Sequence, residues 1–290
     1  MVEPDPLNHD APTIPLGEFL ARLEVEAAGE DRFTVVCPGW WGTERVFGGM
    51  LLAHALSAAL RTVGDELSAH SVHLAFLRPV LPGATCELSV RRTRDGRSFA
   101  TRQVTTTTGG KEAVLATVSF HRPEPGDEYQ LARSPSVPGP IDLARADERL
   151  AFDIRDLGAS ERRADGSYES THRMWIRVDG ELGAAVALHQ VLLSYISDMT
   201  CASFRPHSLW SWGAHSDASL DHALWFHRPL RADRWIYVDF SALVNAGGRA
   251  TVRGVFYDEG GQLCASMAQE LLIRPLGQPD EHHRVSHPAL

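Results

Sequence analysis

Three residues in the second half of the chain bring chemistry to positions where the pattern asks for none: Asp198, Ser219 and Gln269. They supply a carboxylate, a hydroxyl and an amide, one group able to take up a proton and two neutral hydrogen-bonding groups. The chain's own repetition singles them out. The segment His73-Leu-Ala-Phe-Leu-Arg-Pro79 is echoed by His222-Ala-Leu-Trp-Phe-His-Arg-Pro229, and the two Arg-Pro pairs lie 150 positions apart. Gly109-Gly110 recurs as Gly260-Gly261 at a spacing of 151, and Arg122-Pro123 as Arg274-Pro275 at 152. A spacing that drifts so little indicates one fold duplicated. Against the first copy, Asp198 falls opposite Ser57 and Ser219 opposite Ala69. Gln269 falls opposite Val118 or Thr117, depending on where the gap is placed.

The local patterns sharpen this contrast. Gln269 shares a period-two face with Leu263, Ala265, Met267, Leu271 and Ile273, so an amide stands on an apolar strand face. Asp198 shares a helix face with Val191 and Tyr195. A carboxylate there must find hydrogen-bond partners or hold its proton more tightly, because burying an unpaired charge is costly. Ser219 is less decisive, since period two puts it with Asp221, Ala223, Trp225 and His227. Any one of these residues alone reads as a satisfied core polar group. Together in one copy, and missing from the other, they read as a site.

The elements that must position them also come twice. The first copy reads as a strand near 33–37, a helix over 48–63 and an antiparallel meander. The meander includes a cleanly alternating strand at 85–90 and turns at Asp95-Gly96 and Gly109-Gly110. The helix opens on Gly48-Gly49, whose bare backbone leaves helix-start amides able to face a ligand. Prolines and glycines crowd 123–150 and mark a linker. The second copy follows, with a strand at 171–178, a helix at 183–202 and strands near 219–229, 233–244, 249–258 and 262–274. This predicts an α+β fold, a tandem double hotdog with two antiparallel sheets each wrapped around a long helix. Its parts are an N-terminal hotdog at 15–122, the linker, a C-terminal hotdog at 151–275 and a tail at 276–290. Each sheet needs its helix to cover one face.

Composition narrows the classes of function. A chain of 290 residues with 43% hydrophobic content has ample length for two globular domains. A net charge of -9 argues against a general nucleic-acid binder. Cys37, Cys86, Cys201 and Cys264 are scattered, which fits a reducing cytoplasm better than a disulfide framework. The opening residues carry no signal-peptide pattern, and no run is long enough to span a membrane. There is no G-x-S-x-G elbow, no H-E-x-x-H and no cysteine–histidine cluster, so serine-hydrolase and zinc chemistry find no support. The tail pair His282-His283 is a weak metal motif that reads as solvated chain.

In several ordered stretches the chain resembles the acyl-CoA thioesterase II family, the double-hotdog thioesterases. These are Arg45-Val-Phe-Gly-Gly49, His70-Ser-Val-His73, Phe76-Leu-Arg-Pro79, Arg94-Asp-Gly-Arg-Ser-Phe99, Ser197-Asp198, Ser219-Leu-Asp-His222, Trp225-Phe-His-Arg-Pro229 and Ser266-Met-Ala-Gln-Glu270. The family's triad of Asp, Thr or Ser, and Gln falls on Asp198, Ser219 and Gln269, the positions already found from internal asymmetry. The resemblance implies hydrolysis of acyl-CoA to free fatty acid and CoA, with the three side chains holding one water, Asp198 as general base and no cofactor or metal. It departs from the family at Met50, where a Gln usually follows Phe-Gly-Gly. Arg91, Arg92, Arg94 and Arg97 are candidates for the CoA phosphates, against an equally good reading as a solvated hairpin. Trp210 and Trp212 are candidates to roof an acyl groove, against an equally good reading as packing aromatics with no role in binding. Two other functions remain open. One is a non-catalytic acyl-CoA binding protein. The other is a hotdog enoyl-CoA hydratase using Asp221 and His222, although neighbours on a strand point to opposite faces. Open sheet edges lead us to expect a homodimer or higher oligomer.

Overall fold

The computed structural model describes residues 14–39, 44–146, 151–159, 171–202 and 215–275. Trp210, Trp212 and the tail with His282 and His283 lie outside these residues. The first half runs α1 (Leu16–Leu23), β1 (Glu26–Gly29), β2 (Arg32–Val36), α2 (Gly48–Leu60), β3 (Ser68–Phe76), β4 (Thr85–Asp95), β5 (Phe99–Thr108) and β6 (Lys111–His121). The second half runs β7 (Phe152–Ala159), β8 (Thr171–Val178), α3 (Val186–Ala202), β9 (His215–Ser219), β10 (Asp221–Phe226), β11 (Ile236–Ala246), β12 (Arg249–Asp258) and β13 (Leu263–Pro275). Among the described residues no helix is long and apolar enough to cross a membrane.

In the first half α2 packs on the antiparallel strands β3, β5 and β6, and in the second α3 packs on β10 and β12. The α2 sequence is apolar nearly all round, with Leu52, Ala53, Ala55, Leu56, Ala58 and Ala59 fully buried. A helix with no polar face belongs in a core, and its alanines let β-strands and α3 approach closely. The strands supply the other wall. In β4 the alternation expected from sequence holds, with Cys86, Leu88 and Val90 buried and their neighbours exposed.

The two expected sheets join edge to edge. β3 pairs antiparallel with β10, giving one sheet in the order β1-β2-β4-β5-β6-β3-β10-β13-β12-β11-β8-β7, with β9 also paired to β13. The register at this seam pairs His222 with Leu74, Ala223 with His73 and Leu224 with Val72. Those pairs interchange under the 150-residue repeat, so a pseudo-twofold axis passes through the Ala223–His73 pair. The registers also decide the open alignment. Arg102 pairs with Val118 on β5–β6, as Val252 pairs with Gln269 on β12–β13. Val118 is therefore the counterpart of Gln269.

The segment 123–150 expected as a linker packs, over its described residues 123–146, on the second half. Trp175 Nε1 donates to the Pro138 carbonyl at 3.0 Å, and the Leu263 amide donates to Gln130 Oε1 at 2.7 Å. Val137 and Leu143 pack on a small second core of Trp175, Trp235, Tyr237 and Tyr257. The segment thus covers part of one face of the sheet where β8, β11 and β12 lie.

Candidate active site

The three predicted residues come together. Gln269 Nε2 donates to Asp198 Oδ1 at 2.8 Å and to Ser219 Oγ at 2.6 Å. Asp198 and Gln269 are almost wholly buried, at 2% and 1% exposure, while Ser219 is half-buried. Each arrives on a different element, α3, β9 and β13. Only the tertiary fold makes them neighbours.

Period two places Ser219 on the face of Asp221, and that expectation is corrected. On β13, Leu271 pairs with Ser219 but Ala268 pairs with Ala223, so one extra residue lies in the strand around Leu220. Such a bulge shifts the phase of every side chain beyond it. Ser219 turns inward to Gln269, whereas Asp221 stays exposed and accepts the Glu270 amide at 2.8 Å. The first copy carries the same irregularity between Ala69 and Ser71, at the equivalent place.

His222 completes the cluster, and sequence analysis considered it only as half of a hydratase pair. Its side chain is fully buried, with Nδ1 at 3.3 Å from Gln269 Oε1 and 3.7 Å from Asp198 Oδ1, and Nε2 at 2.9 Å from Ser197 Oγ. Asp221 faces the other way, as expected of strand neighbours. The repeat could have flagged His222, because Val72 stands opposite it at a spacing of 150.

The other wall of the site comes from the first half. A methyl group at Gly48 would lie 2.8 Å from Asp198 Oδ2 and 2.9 Å from Phe76 Cζ, so the carboxylate sits directly over the start of α2. Phe47 caps that helix without any side-chain hydrogen bond. The Met50 and Leu51 amides bond the Phe47 carbonyl, which leaves those of Gly48 and Gly49 without an acceptor in their own helix, and the helix dipole favours an anion there. One turn before Asp198, Tyr195 packs against Phe19 and Phe47 with centroids at 4.9 and 5.1 Å, and stacks on Phe152 at 5.7 Å. Burial, and then the Asp198 charge, push its phenol well above the ordinary value, so it stays neutral. Met50 is buried on α2.

The arginine candidates are partly committed elsewhere. Arg92 donates twice to Asp31, at 2.8 and 2.9 Å, and Arg91 bonds Gln103. Only the backbone carbonyl of Arg94 is engaged, accepting from the buried Arg102, which does not occupy its guanidinium. Among the described residues no group of three histidine, cysteine or acidic side chains could hold a metal ion.

Comparison with known proteins agrees with this architecture. Residues 37–121 match the family model for the acyl-CoA thioesterase N-terminal domain, and residues 123–273 match that for the C-terminal domain. Acyl-coenzyme A thioesterase 8 of Homo sapiens is 28% identical over 270 residues, covering 83% of this chain and 84% of the relative. Acyl-CoA thioesterase 2 of Haemophilus influenzae is 29% identical over 255 residues, covering 80% and 89%. The crystal structure of an acyl-CoA thioesterase II from Mycobacterium marinum superposes with a TM-score of 0.77 at 30% identity, covering 90% of this chain and 99% of that one. With both domain models matched in order, the chain belongs to the acyl-CoA thioesterase family.

Proposed function

We propose that this protein hydrolyses acyl-CoA to a free fatty acid and CoA, with water positioned by Asp198, Ser219 and Gln269 in the C-terminal hotdog, at 151–275. The N-terminal hotdog, at 15–122, is the structural partner that also lends the start of α2 to the site, and 123–150 links the two. The observation that carries the reading is Gln269 Nε2 reaching both Asp198 Oδ1 and Ser219 Oγ beside the start of α2. Both amide hydrogens of Gln269 are then spent on protein acceptors. Asp198 Oδ2 is left to take one hydrogen of a water, and the second lone pair of Ser219 Oγ accepts the other. The water oxygen attacks the thioester carbonyl carbon as Asp198 takes its proton. Collapse of the tetrahedral intermediate breaks the C–S bond, and the proton passes from Asp198 to the departing sulfur. Because the Gln269 amide is committed, the Gly48 and Gly49 backbone amides are the better oxyanion donors. The acyl chain runs into the apolar space between helices and sheet. A cytoplasmic homo-oligomer is the form we expect, in keeping with the free buried Cys37, Cys86 and Cys264.

Thiol release from a panel of acyl-CoAs of increasing chain length tests this. The wild type turns over part of the panel, and Asp198→Ala lowers kcat on the order of 10²–10⁴-fold. Binding without hydrolysis by the wild type would favour a carrier. Undiminished turnover in Asp198→Ala would remove it as base.

A further inference from the structure

We propose that His222 is a positioning residue that locks the orientation of the Gln269 amide, with Ser197 holding the back of the ring. The proposal rests on the reading of Asp198, Ser219 and Gln269 as the water-holding site. A glutamine amide offers an oxygen on one side and an NH2 on the other, and the surrounding hydrogen bonds decide which way it lies. An ionised carboxylate only accepts, so the Gln269 atom 2.8 Å from Asp198 Oδ1 is the NH2 nitrogen. If the amide turned over, its oxygen would face the carboxylate and both would lose a partner.

His222 is placed to prevent that turn. Gln269 Oε1 lies 3.3 Å from His222 Nδ1. A carbonyl oxygen needs a donor, so Nδ1 carries the ring proton. Ser197 Oγ has one proton for two acceptors, Nε2 at 2.9 Å and the Ser194 carbonyl at 2.8 Å, and with a neutral ring protonated at Nδ1 that proton turns to Nε2. The groups around the ring are thus Ser197 and Asp198 from α3 and Gln269 from β13, with Leu74 as its partner on β3. His222 and Ser197 are wholly buried, so no bulk water competes for these bonds.

The duplicated half supplies independent support. At the matching positions the first copy has Val72 for His222, Leu56 for Ser197, Ser57 for Asp198 and Val118 for Gln269. Where the glutamine is absent, the histidine and its serine are absent too. A histidine retained only for packing would have no reason to disappear with the glutamine.

The test is a double-mutant cycle read as kcat and KM with an acyl-CoA substrate. His222→Leu lowers kcat on the order of 10²-fold, while KM changes by less than about threefold because the acyl groove is not touched. His222→Asn, whose amide nitrogen falls near Nδ1 and can still donate to Gln269, recovers to within about tenfold of wild type. In a Gln269→Ala background His222→Leu costs less than about twofold further, since it acts through the missing amide. A wild-type kcat in His222→Leu would overturn the proposal, as would full multiplication of the two losses. Should His222→Leu fail to fold, His222→Asn and Ser197→Ala complete the cycle on the same terms. A second readout needs no activity. Nitrogen NMR of the 15N-histidine-labelled protein, assigned by the signal lost in His222→Asn, shows Nδ1 protonated; a neutral Nε2–H ring would overturn the lock. An Nδ1-protonated ring in a protein that hydrolyses no thioester would overturn the hydrolase reading and leave the lock supported.

Discussion

At the scale of single residues, the site depends on a side chain that is missing. Gly48 lets Asp198 Oδ2 rest over the first turn of α2, where a Cβ would intrude to 2.8 Å. Gly48→Ala therefore displaces the carboxylate or the start of the helix. A shift near 1 Å at a reacting group costs about 10²-fold in rate, so kcat should fall by about that factor. Stability should change little, because alanine is the better helix former by about 1 kcal/mol and offsets the contact with the Phe76 ring. Steady-state kinetics beside a thermal melt check both halves of this, and an unimpaired kcat would mean that the carboxylate is not confined there. Asp198 and Gln269 were legible in the sequence because each breaks an apolar face. Ser219 was legible only by alignment with Ala69, since the bulge near Leu220 defeats period two. His222 was hidden for another reason. It sits at an ordinary inward strand position, and its partners Ser197 and Gln269 are distant in sequence.

At the scale of elements, α1 is anchored to α2 by polar contacts inside an apolar setting. His54 Nε2 donates to the Arg22 carbonyl at 2.8 Å, and Arg61 donates to the Val25 carbonyl at 2.6 Å. His54 is buried on α2, and its Nδ1 has no hydrogen-bond partner among the described residues. Burial pushes its pKa down from 6.5 to about 4, against the smaller upward pull of the Arg22 carbonyl. The unfolded chain takes up this proton first as pH falls. The stability from neutral His54 is thus fully present above pH 6.5 and is lost progressively as pH drops toward 4. Between pH 7 and pH 4.5 the wild type should lose about 2–3 kcal/mol more than His54→Leu. Urea unfolding of both proteins at the two pH values measures the difference, and parallel losses would show that His54 titrates normally. Most elements were foreseeable from periodicity, including α2, β4, β8 and β12. The helix predicted from 183 begins at Val186, and the strand predicted over 219–229 divides into β9 and β10. The strand break lies next to the site, at the bulge around Leu220, and the α3 start lies at the other end of that helix, beside the Ala69 bulge.

At the scale of the whole molecule, the pseudo-twofold axis generates two equivalent places and the chain keeps chemistry in one. The place related to Ser219 by the repeat is the bulge at Ala69, beside the start of α3. Gln190 of α3 fills it, donating to the Ala69 carbonyl at 2.6 Å and accepting the Ala69 amide at 3.2 Å. With Ser57 and Val118 in place of the acid and amide, that twin position is closed by a structural clamp. The functional position in turn draws on both halves, since Asp198 comes from one and the Gly48 backbone from the other. The C-terminal half alone would lose the α2 amides, uncover Asp198 and leave the β10 edge unpaired. A fragment spanning 123–275 should therefore hydrolyse acyl-CoA on the order of 10²–10³-fold more slowly than the intact chain, the loss expected when oxyanion donors are removed. Co-expression with a fragment spanning 14–122 should restore activity, because the β3–β10 pairing and the α2–α3 packing need no covalent link to form. Active-site titration of the restored complex should count one site per pair of fragments. Full activity in the C-terminal fragment by itself would place the oxyanion donors within that half and reduce the first copy to a scaffold with no part in the chemistry.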